Sequence, residues 1–213
     1  HRYIATRVAE LLKRDNLRVI SCHLGGSSSL CAIRGLSSVA NSFGTTAQSG
    51  LPHNNRAGDF DAYAVPLVMK LTGKSHDEVL SMLASQSGLL GLSGVSGDVR
   101  DLVEAADKGN PRAKLALDVF AASVRHYLGA YLVELGGADV IAFTGGIGEN
   151  QASFRTMVLE GLEELGIVLD PELNEKTRVE SPIHARSSRV QIWVVPTNEE
   201  LIVARLAKKL LEG

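Results

Sequence analysis

Asp139-Val140-Ile141-Ala142-Phe143-Thr144-Gly145-Gly146-Ile147-Gly148-Glu149-Asn150 is the stretch that decides the fold. Its first six residues form a short apolar run that reads as a strand. Residues 145–150 read as a Gly-rich loop, and the apolar spacing beyond them predicts a helix over 151–165. A strand that passes through glycines into a helix is a building unit of an α/β sheet. In such sheets ligands collect at the carboxyl ends of strands, and glycine there lets a ligand come close to the backbone. The spacing is neither G-x-G-x-x-G nor the Lys-bearing phosphate loop. A bare strand-to-helix turn would explain it as well, but glycine at three of four positions tilts it toward function.

The alternation continues downstream, with a strand predicted over 190–195, then Thr197 and a closing helix running to Leu211. Upstream, residues 98–107 and 111–135 predict helices. The second is apolar on most faces through Leu115, Val119, Phe120, Val124, Leu128 and Leu132, so it is expected to be buried. Residues 60–72 and 76–87 predict two more helices, and 88–97 a Gly/Ser-rich connector. Residues 44–58 show no periodicity and carry Pro52, Asn54 and Asn55; a loop that long inside a compact domain is functional or mobile. Nearer the start, residues 5–13 predict an amphipathic helix. Residues 18–22, 30–34 and 38–42 predict three short strands, and the Gly-rich turns between them read as an antiparallel meander. A meander followed by alternating helices and strands predicts an α/β fold, a mixed sheet of the ribonuclease H-like kind flanked by helices. With no repeat, linker or low-complexity segment, residues 1–213 are expected to form a single domain.

Composition narrows the partners. The chain has 213 residues, is 45% hydrophobic and 22% charged, and carries a formal net charge of -2. No basic excess or patch favours nucleic acid or an anionic membrane. Lys208-Lys209, the nearest thing to a basic cluster, suits the C-terminal end of a helix. No apolar run approaches the ~20 residues of a membrane span. Cys22 and Cys31 are expected to be buried reduced thiols, which with the lack of a signal peptide points to the cytoplasm. The chain opens on His1 rather than Met, so a fragment with its upstream sequence removed is expected.

Four places carry candidate chemistry. His23-Leu24-Gly25-Gly26-Ser27-Ser28-Ser29 exposes consecutive N–H groups beside hydroxyls, a nest suited to phosphate oxygens, although a plain hairpin turn uses the same residues. The Gly145 loop is the second. Pro196-Thr197-Asn198-Glu199-Glu200 is the third: Thr197 and Glu200 fit a capping box, leaving Glu199 free to orient a hydrated Mg2+. In the fourth, Asn54-Asn55-Arg56-Ala57-Gly58-Asp59-Phe60-Asp61, Asp59 suits a helix cap. Arg56 is either a solvated surface residue or a neutraliser of charge in phosphoryl transfer. Asp98-Val99-Arg100-Asp101 opens a helix, where acidic residues are expected. His1, His53, His76, His126 and His184 show no metal-ligand spacing and receive no role.

In this order and at these intervals the segments resemble the acetate kinase family over essentially the whole chain. The strings that carry the resemblance are His1-Arg2-Tyr3, Cys22-His23-Leu24-Gly25, Arg56-Ala57-Gly58-Asp59-Phe60-Asp61 and Gly88-Leu89-Leu90-Gly91-Leu92-Ser93-Gly94. Further on come Asp98-Val99-Arg100-Asp101, Phe143-Thr144-Gly145-Gly146-Ile147-Gly148-Glu149-Asn150 and Pro196-Thr197-Asn198-Glu199-Glu200-Leu201.

The resemblance implies the actin-like ATPase superfamily, with two ribonuclease H-like domains and ATP in the cleft between them. It implies a transferase that passes a phosphoryl group from ATP to acetate or a related short carboxylate. By resemblance His23 and Arg56 are catalytic, and His23, Gly25, Gly26 and Ser27 face the phosphates. Asp98, Val99 and Arg100 lie near the adenosine, Gly145, Gly146, Ile147, Gly148 and Asn150 support the nucleotide, and Glu199 helps to position Mg2+. It further implies a homodimer and an absent N-terminal domain holding the acyl pocket, without which the chain is expected to be inactive. The family's His-Gly-Thr-Ser-His string would be cut just before its second histidine, at His1.

Several positions depart from the family. Where it reads His-Leu-Gly-Asn-Gly-Ala-Ser, position 26 is glycine here, and where it reads Gly-Thr-Arg this chain has Asn54-Asn55-Arg56. Gln48-Ser49-Gly50-Leu51 replaces Leu-Glu-Gly-Leu, and Val99 stands where a bulkier residue packs on the base. Two competing readings remain at this point. One is a nucleotide-binding regulatory or assembly module without turnover; the other is a carboxylate or sugar kinase relative of altered specificity.

Overall fold

The computed structural model describes residues 1–177 and 179–211, without the side chains of residues 199, 202, 205, 206 and 209. Its contacts divide the chain into two compact units. The first comprises His1–His23, Cys31–Ala40 and Tyr131–Gly213, and the second Leu24–Leu30 and Asn41–Ala130.

The first unit holds a mixed sheet. Strands β1 (Arg18–His23), β2 (Ser29–Arg34), β3 (Ser37–Asn41), β4 (Val140–Thr144), β5 (Ser181–Pro182) and β6 (Gln191–Val194) are ordered β3-β2-β1-β4-β6-β5. β1, β4 and β6 run parallel, with Val19 beside Val140 and Val140 beside Gln191, while β5 pairs antiparallel to β6. All five residues of β4 are buried, as are the middle four of β1. That is why both read as continuous apolar runs, the mark of parallel strands covered on both faces. β3, at one edge, is nearly all exposed and accordingly polar.

Helix α1 (Arg2–Leu12) lays Ile4, Ala5 and Val8 against Val19, Cys31, Ile33, Val140 and Ala142. At the amino ends of β1 and β4 the Asp139 carboxylate accepts from the Arg18 backbone N–H at 2.8 Å and from its guanidinium at 3.0 Å. These bonds hold the Asp139 carboxyl below its usual range. Both cysteines are free and buried, as expected, and burial pushes the Cys22 thiol up.

The second unit is helical: α2 (Val65–Thr72), α3 (His76–Ser85), α4 (Gly88–Ser93), α5 (Val99–Asp107) and Pro111–Ala130 of α6 (Pro111–Leu135). Three expectations change here. Residues 88–97 were expected to be only a connector, yet they contain α4. The Ser87 side chain does not cap it; instead Leu89 and Leu90 donate to the carbonyls of His53 and Asn54 at 2.9 and 2.8 Å. Those carbonyls satisfy first-turn donors that would otherwise lack partners. The α6 bounds are as expected, but only one face of the helix is buried. Ala113, Leu117, Phe120, Val124 and Leu128 line that face, while Leu115 and Val133 are exposed. The start of α2 is a 3-10 turn (Ala62–Ala64) whose first N–H groups are capped by Asp61, not Asp59.

In the first unit, residues 145–150 form a short helix, α7 (Gly145–Asn150), rather than a loop, and 151–165 split into α8 (Ala152–Leu159) and a 3-10 turn (Glu163–Leu165). α9 (Pro171–Lys176) and β5 had not been anticipated. The closing helix α10 (Glu199–Leu211) is capped by Asn198, whose Oδ1 accepts the Leu201 N–H at 3.1 Å, so the Thr197–Glu200 capping box is not the one used. Among the described residues no helix is long and apolar enough to cross a membrane.

The one-sided burial of α6 predicts a sharp contrast between two truncations. Phe120→Ala, at 1% exposure, should cost about 3–5 kcal/mol of unfolding free energy. Leu115→Ala, at 51% exposure, should cost less than about 1 kcal/mol by urea denaturation.

Candidate functional site

The candidate residues fall into two groups, one in each unit. In the second unit, three segments distant in sequence meet: the turn at residues 25–28, the loop at 53–56, and residues 88–98. A Cβ added to Gly88, which has φ +59°, would sit 2.2 Å from the His53 carbonyl oxygen and 2.5 Å from that of Arg56. One added to Gly97 would sit 2.4 Å from the Asn54 carbonyl oxygen. Only glycine allows either approach. The loop at 53–56 is therefore wedged by backbone contact on two sides.

His53 is the centre of this group. Its N–H donates to the Arg56 carbonyl at 3.0 Å and its own carbonyl accepts from Leu89. Its ring Nδ1 accepts the Ser28 backbone N–H at 2.8 Å. An Nδ1 that accepts leaves the ring proton on Nε2, and the neutral tautomer follows. That Nε2 is buried without a partner among the described residues. Burial first, and the nearby Arg56 charge second, lower the His53 pKa to about 4. The Phe43 ring packs beside it at 5.7 Å. Sequence reasoning gave His53 no role, because a lone histidine in an aperiodic loop carries no signal of its partners.

The turn itself is closed by Ser28, whose Oγ accepts the Gly25 N–H at 3.1 Å and donates to the Gly25 carbonyl at 3.0 Å. Gly26 and Ser27 are exposed. Half-buried Arg56 donates from Nη1 to the Ala47 carbonyl at 2.8 Å. Asp59 accepts the Gly50 N–H at 2.7 Å and the Tyr127 hydroxyl, which anchors the far end of the loop. Asp98 caps α5 through the Arg100 N–H at 2.8 Å, and its carboxylate pairs with the exposed Arg100 guanidinium at 2.6 Å. That pairing lowers the Asp98 pKa. Val99 is buried, with 1% exposure.

The first unit gathers its candidates along the carboxyl edge of the parallel strands. His23 ends β1 opposite Thr144, which ends β4. The His23 ring stands edge-on to that of His1 at 6.4 Å, and His1 Nδ1 lies 2.9 Å from Ser21 Oγ. Gly145, at φ 77°, turns the chain directly into α7, which carries Gly146, Ile147, Gly148 and Asn150. Gly148 packs its Cα toward Phe143 and the Cys22 carbonyl.

Glu149 was not among the expected site residues, yet it ties the edge together. Its Oε1 accepts the Gly145 N–H at 2.8 Å and the Thr197 N–H at 3.1 Å. At the other end of α7, fully buried Arg155 donates from Nη1 to the carbonyls of Gly148 and Glu149 at 2.9 and 3.0 Å. Its Nε and Nη2 are held by Asn174. Glu199 opens α10, but its side chain lies outside the described residues. Among the described residues, no group of three or more His, Cys, Asp or Glu is placed to hold a metal ion.

A mixed sheet in this strand order, flanked by helices and with His23 and Gly145 at its parallel strands' carboxyl ends, defines a ribonuclease H-like fold of the actin-like ATPase kind. The family model described as "Acetokinase family" matches residues 1–205, and the chain belongs to that family. Acetate kinase of Dictyoglomus turgidum is 49% identical over 96% of this chain and 51% of its own length. That of Geobacillus kaustophilus is 46% identical over 99% and 54%. Among solved structures, Porphyromonas gingivalis acetate kinase superposes with a TM-score of 0.95 at 37% identity, covering 99% of this chain and 54% of that one. A propionate kinase from Francisella tularensis gives 0.89 at 35% identity, covering 96% and 52%. The chain thus spans about half the length of the curated relatives it matches.

The His53 geometry predicts a particular acid sensitivity. The unfolded chain takes up a proton near the ordinary pKa of 6.5, while folding holds the ring neutral down to about 4. As pH falls between those values, only the unfolded state gains the proton, and stability drops by up to about 3 kcal/mol. In His53→Gln, whose amide oxygen can still accept from Ser28, the loss in urea midpoint between pH 7 and pH 4.5 should shrink. An unchanged loss would contradict the assignment.

Proposed function

We propose that this chain is the nucleotide-binding half of an ATP:carboxylate phosphotransferase that forms an acyl phosphate and ADP, with acetate or a related short carboxylate as acceptor. The observation that supports it most directly is the meeting of the residue 25–28 turn, the Arg56 loop and the Asp98 cap within one unit of a chain that belongs to the acetokinase family. Relatives and neighbours named acetate kinase and propionate kinase bear on the acceptor class.

In this reading the turn's N–H groups and His23 receive the phosphates. Asp98, Val99 and Arg100 are assigned to the adenosine, and Gly145, Gly146, Ile147, Gly148 and Asn150 to support of the nucleotide. A carboxylate oxygen attacks the γ-phosphorus as the bond from that phosphorus to the β–γ bridging oxygen breaks, and the bridging oxygen leaves on ADP. Little bond-making falls to the protein, so alignment and charge neutralisation carry the rate. Arg56 is the group assigned to the charge on the transferred phosphoryl. Mg2+ enters as Mg·ATP, coordinated mainly by phosphate oxygens and water as this ion usually is. Glu199 is assigned to its hydration shell.

The acyl pocket is assigned to an N-terminal half beyond this chain, whose closure over the nucleotide completes the site. The chain alone should therefore bind Mg·ATP without turnover. The partners proposed are small molecules, that other half and a second copy of the chain, in the cytoplasm, and not nucleic acid or membrane. The homodimer reading is supported by α2, a helix with no buried residue whose Leu67 and Leu71, with neighbouring Tyr63, are exposed. A short apolar helix left uncovered is unstable by itself.

Calorimetry with Mg·ATP should give a Kd below about 1 mM, weakened by Glu199→Ala. Adding an N-terminal acetate kinase half should then yield acyl phosphate trappable with hydroxylamine, and Arg56→Ala should lower that rate by roughly 10²–10³. No binding in either form would overturn the reading. For the dimer, Leu67→Glu with Leu71→Glu should shift the chain to a monomer in sedimentation. A wild-type chain already monomeric at micromolar concentration would count against it.

A further inference from the structure

Gly26 lacks a side chain for a reason other than backbone conformation. It is not among the residues of positive φ, so any amino acid could adopt its geometry. What stands beside the place where its side chain would begin is Asn54: a Cβ on Gly26 would lie 3.4 Å from Asn54 Nδ2 and 3.9 Å from its Cγ. The amide of one loop lies in ordinary contact distance of the place where a side chain on the other would begin.

Asn54 is also held firmly. Its carbonyl accepts the Leu90 N–H at 2.8 Å, and Gly97 presses against the same peptide group. Its neighbour His53 is bonded to Ser28 of the turn. Yet the half-buried Asn54 carboxamide makes no hydrogen bond among the described residues. The exposed N–H groups of Gly26 and Ser27, one and two residues before Ser28, have no partner there either. An amide donor beside Gly26 and two backbone donors of the same turn thus have no protein acceptor among the described residues. Donors arranged in this way form a site for an anionic oxygen.

We propose that the Asn54 carboxamide is a ligand-contacting group, donating from Nδ2 to a phosphate oxygen seated on the Gly26 and Ser27 N–H groups. This rests on the reading of residues 25–28 as the nucleotide's phosphate turn and adds to it a residue from the arginine loop. One backbone segment then supplies both Asn54, for a bound phosphate, and Arg56, for charge on the transferred group. The affinity for phosphate and the placement of the arginine become coupled through Asn55, the one residue between them.

The test is calorimetric titration of the chain with Mg·ATP for the wild type, Asn54→Ala, Asn54→Asp, and the exchange Gly26→Asn with Asn54→Gly. Hydrogen bonds to charged groups are among the stronger ones, so Asn54→Ala should weaken binding about tenfold or more. Asn54→Asp, which sets a carboxylate against phosphate, should weaken it further. The exchange returns an amide to the same space from the opposite loop and should restore affinity to within a few-fold of wild type. Thermal unfolding of each variant separates loss of the contact from loss of the fold. Wild-type affinity in Asn54→Ala, with binding still weakened in Glu199→Ala, would overturn the Asn54 proposal and leave the nucleotide reading standing. Weakened binding in Asn54→Ala that the exchange fails to recover in a normally folded protein would also overturn it. Absence of Mg·ATP binding in the wild type would overturn both.

Discussion

The first turn of α4 has no side-chain cap, and the carbonyls of His53 and Asn54 take its place. A helix start left buried and unbonded costs free energy at each orphan N–H, so this exchange fixes the loop as firmly as it fixes the helix. Gly88 and Gly97 permit it, because a methyl group at either position would collide with the loop backbone. With its carbonyls committed in this way, the loop can present side chains in a defined direction. The His53 ring reaches Ser28, Asn54 lies over Gly26, and Arg56 reaches across to the Ala47 carbonyl. A segment without regular secondary structure is thus positioned by backbone bonds on one side and a buried imidazole on the other. This makes an aperiodic stretch suitable for a task that tolerates little misplacement.

The first unit reaches the same end by different means. Its parallel strands β1, β4 and β6 end together, which brings His23, Gly145 and the turn before α10 to one edge. Such an edge exposes N–H groups that need either a ligand or a local acceptor. One Glu149 oxygen serves Gly145 and Thr197 at once, and Arg155 takes up carbonyls at the opposite end of α7. A six-residue helix is far too short to hold itself. Held at both ends by side chains, α7 keeps the Gly-rich segment in place without bulk that would bar a ligand.

These two arrangements explain which features were legible in the sequence. β1 and β4 announce themselves because strands buried on both faces must be apolar throughout. The bounds of α6 are marked by Pro111 at its first turn and Gly136 just past its end. The identity of the family was legible in seven short strings, because these retain particular residues rather than a pattern. α4 was not, since its cap comes from residues more than thirty positions upstream in sequence. α7 was hidden by its own glycines, which propensity counts against a helix. α9 did carry a readable signal: Asp170 before Pro171 is a cap followed by the favoured first residue, and the Asp170 side chain accepts the Leu173 N–H at 3.0 Å. The caps at Asp61 and Asn198 show the limit of such reading. In each case a competing acceptor two residues or one residue earlier was equally plausible, and backbone geometry chose between them.

The two departures from the family that stood out in the sequence turn out to be neighbours in space. Where the resemblance leads one to expect asparagine at position 26 and glycine at position 54, this chain has Gly26 and Asn54, and the Asn54 amide lies against Gly26. Read singly, each change removes something: a polar side chain from the turn, and a flexible residue from the arginine loop. Read together, they leave one amide beside the turn, carried by the 53–56 loop. Divergence at the most chemically sensitive turn therefore does not by itself argue for lost chemistry. The Asn54 amide still stands beside the turn, carried by a different stretch of backbone.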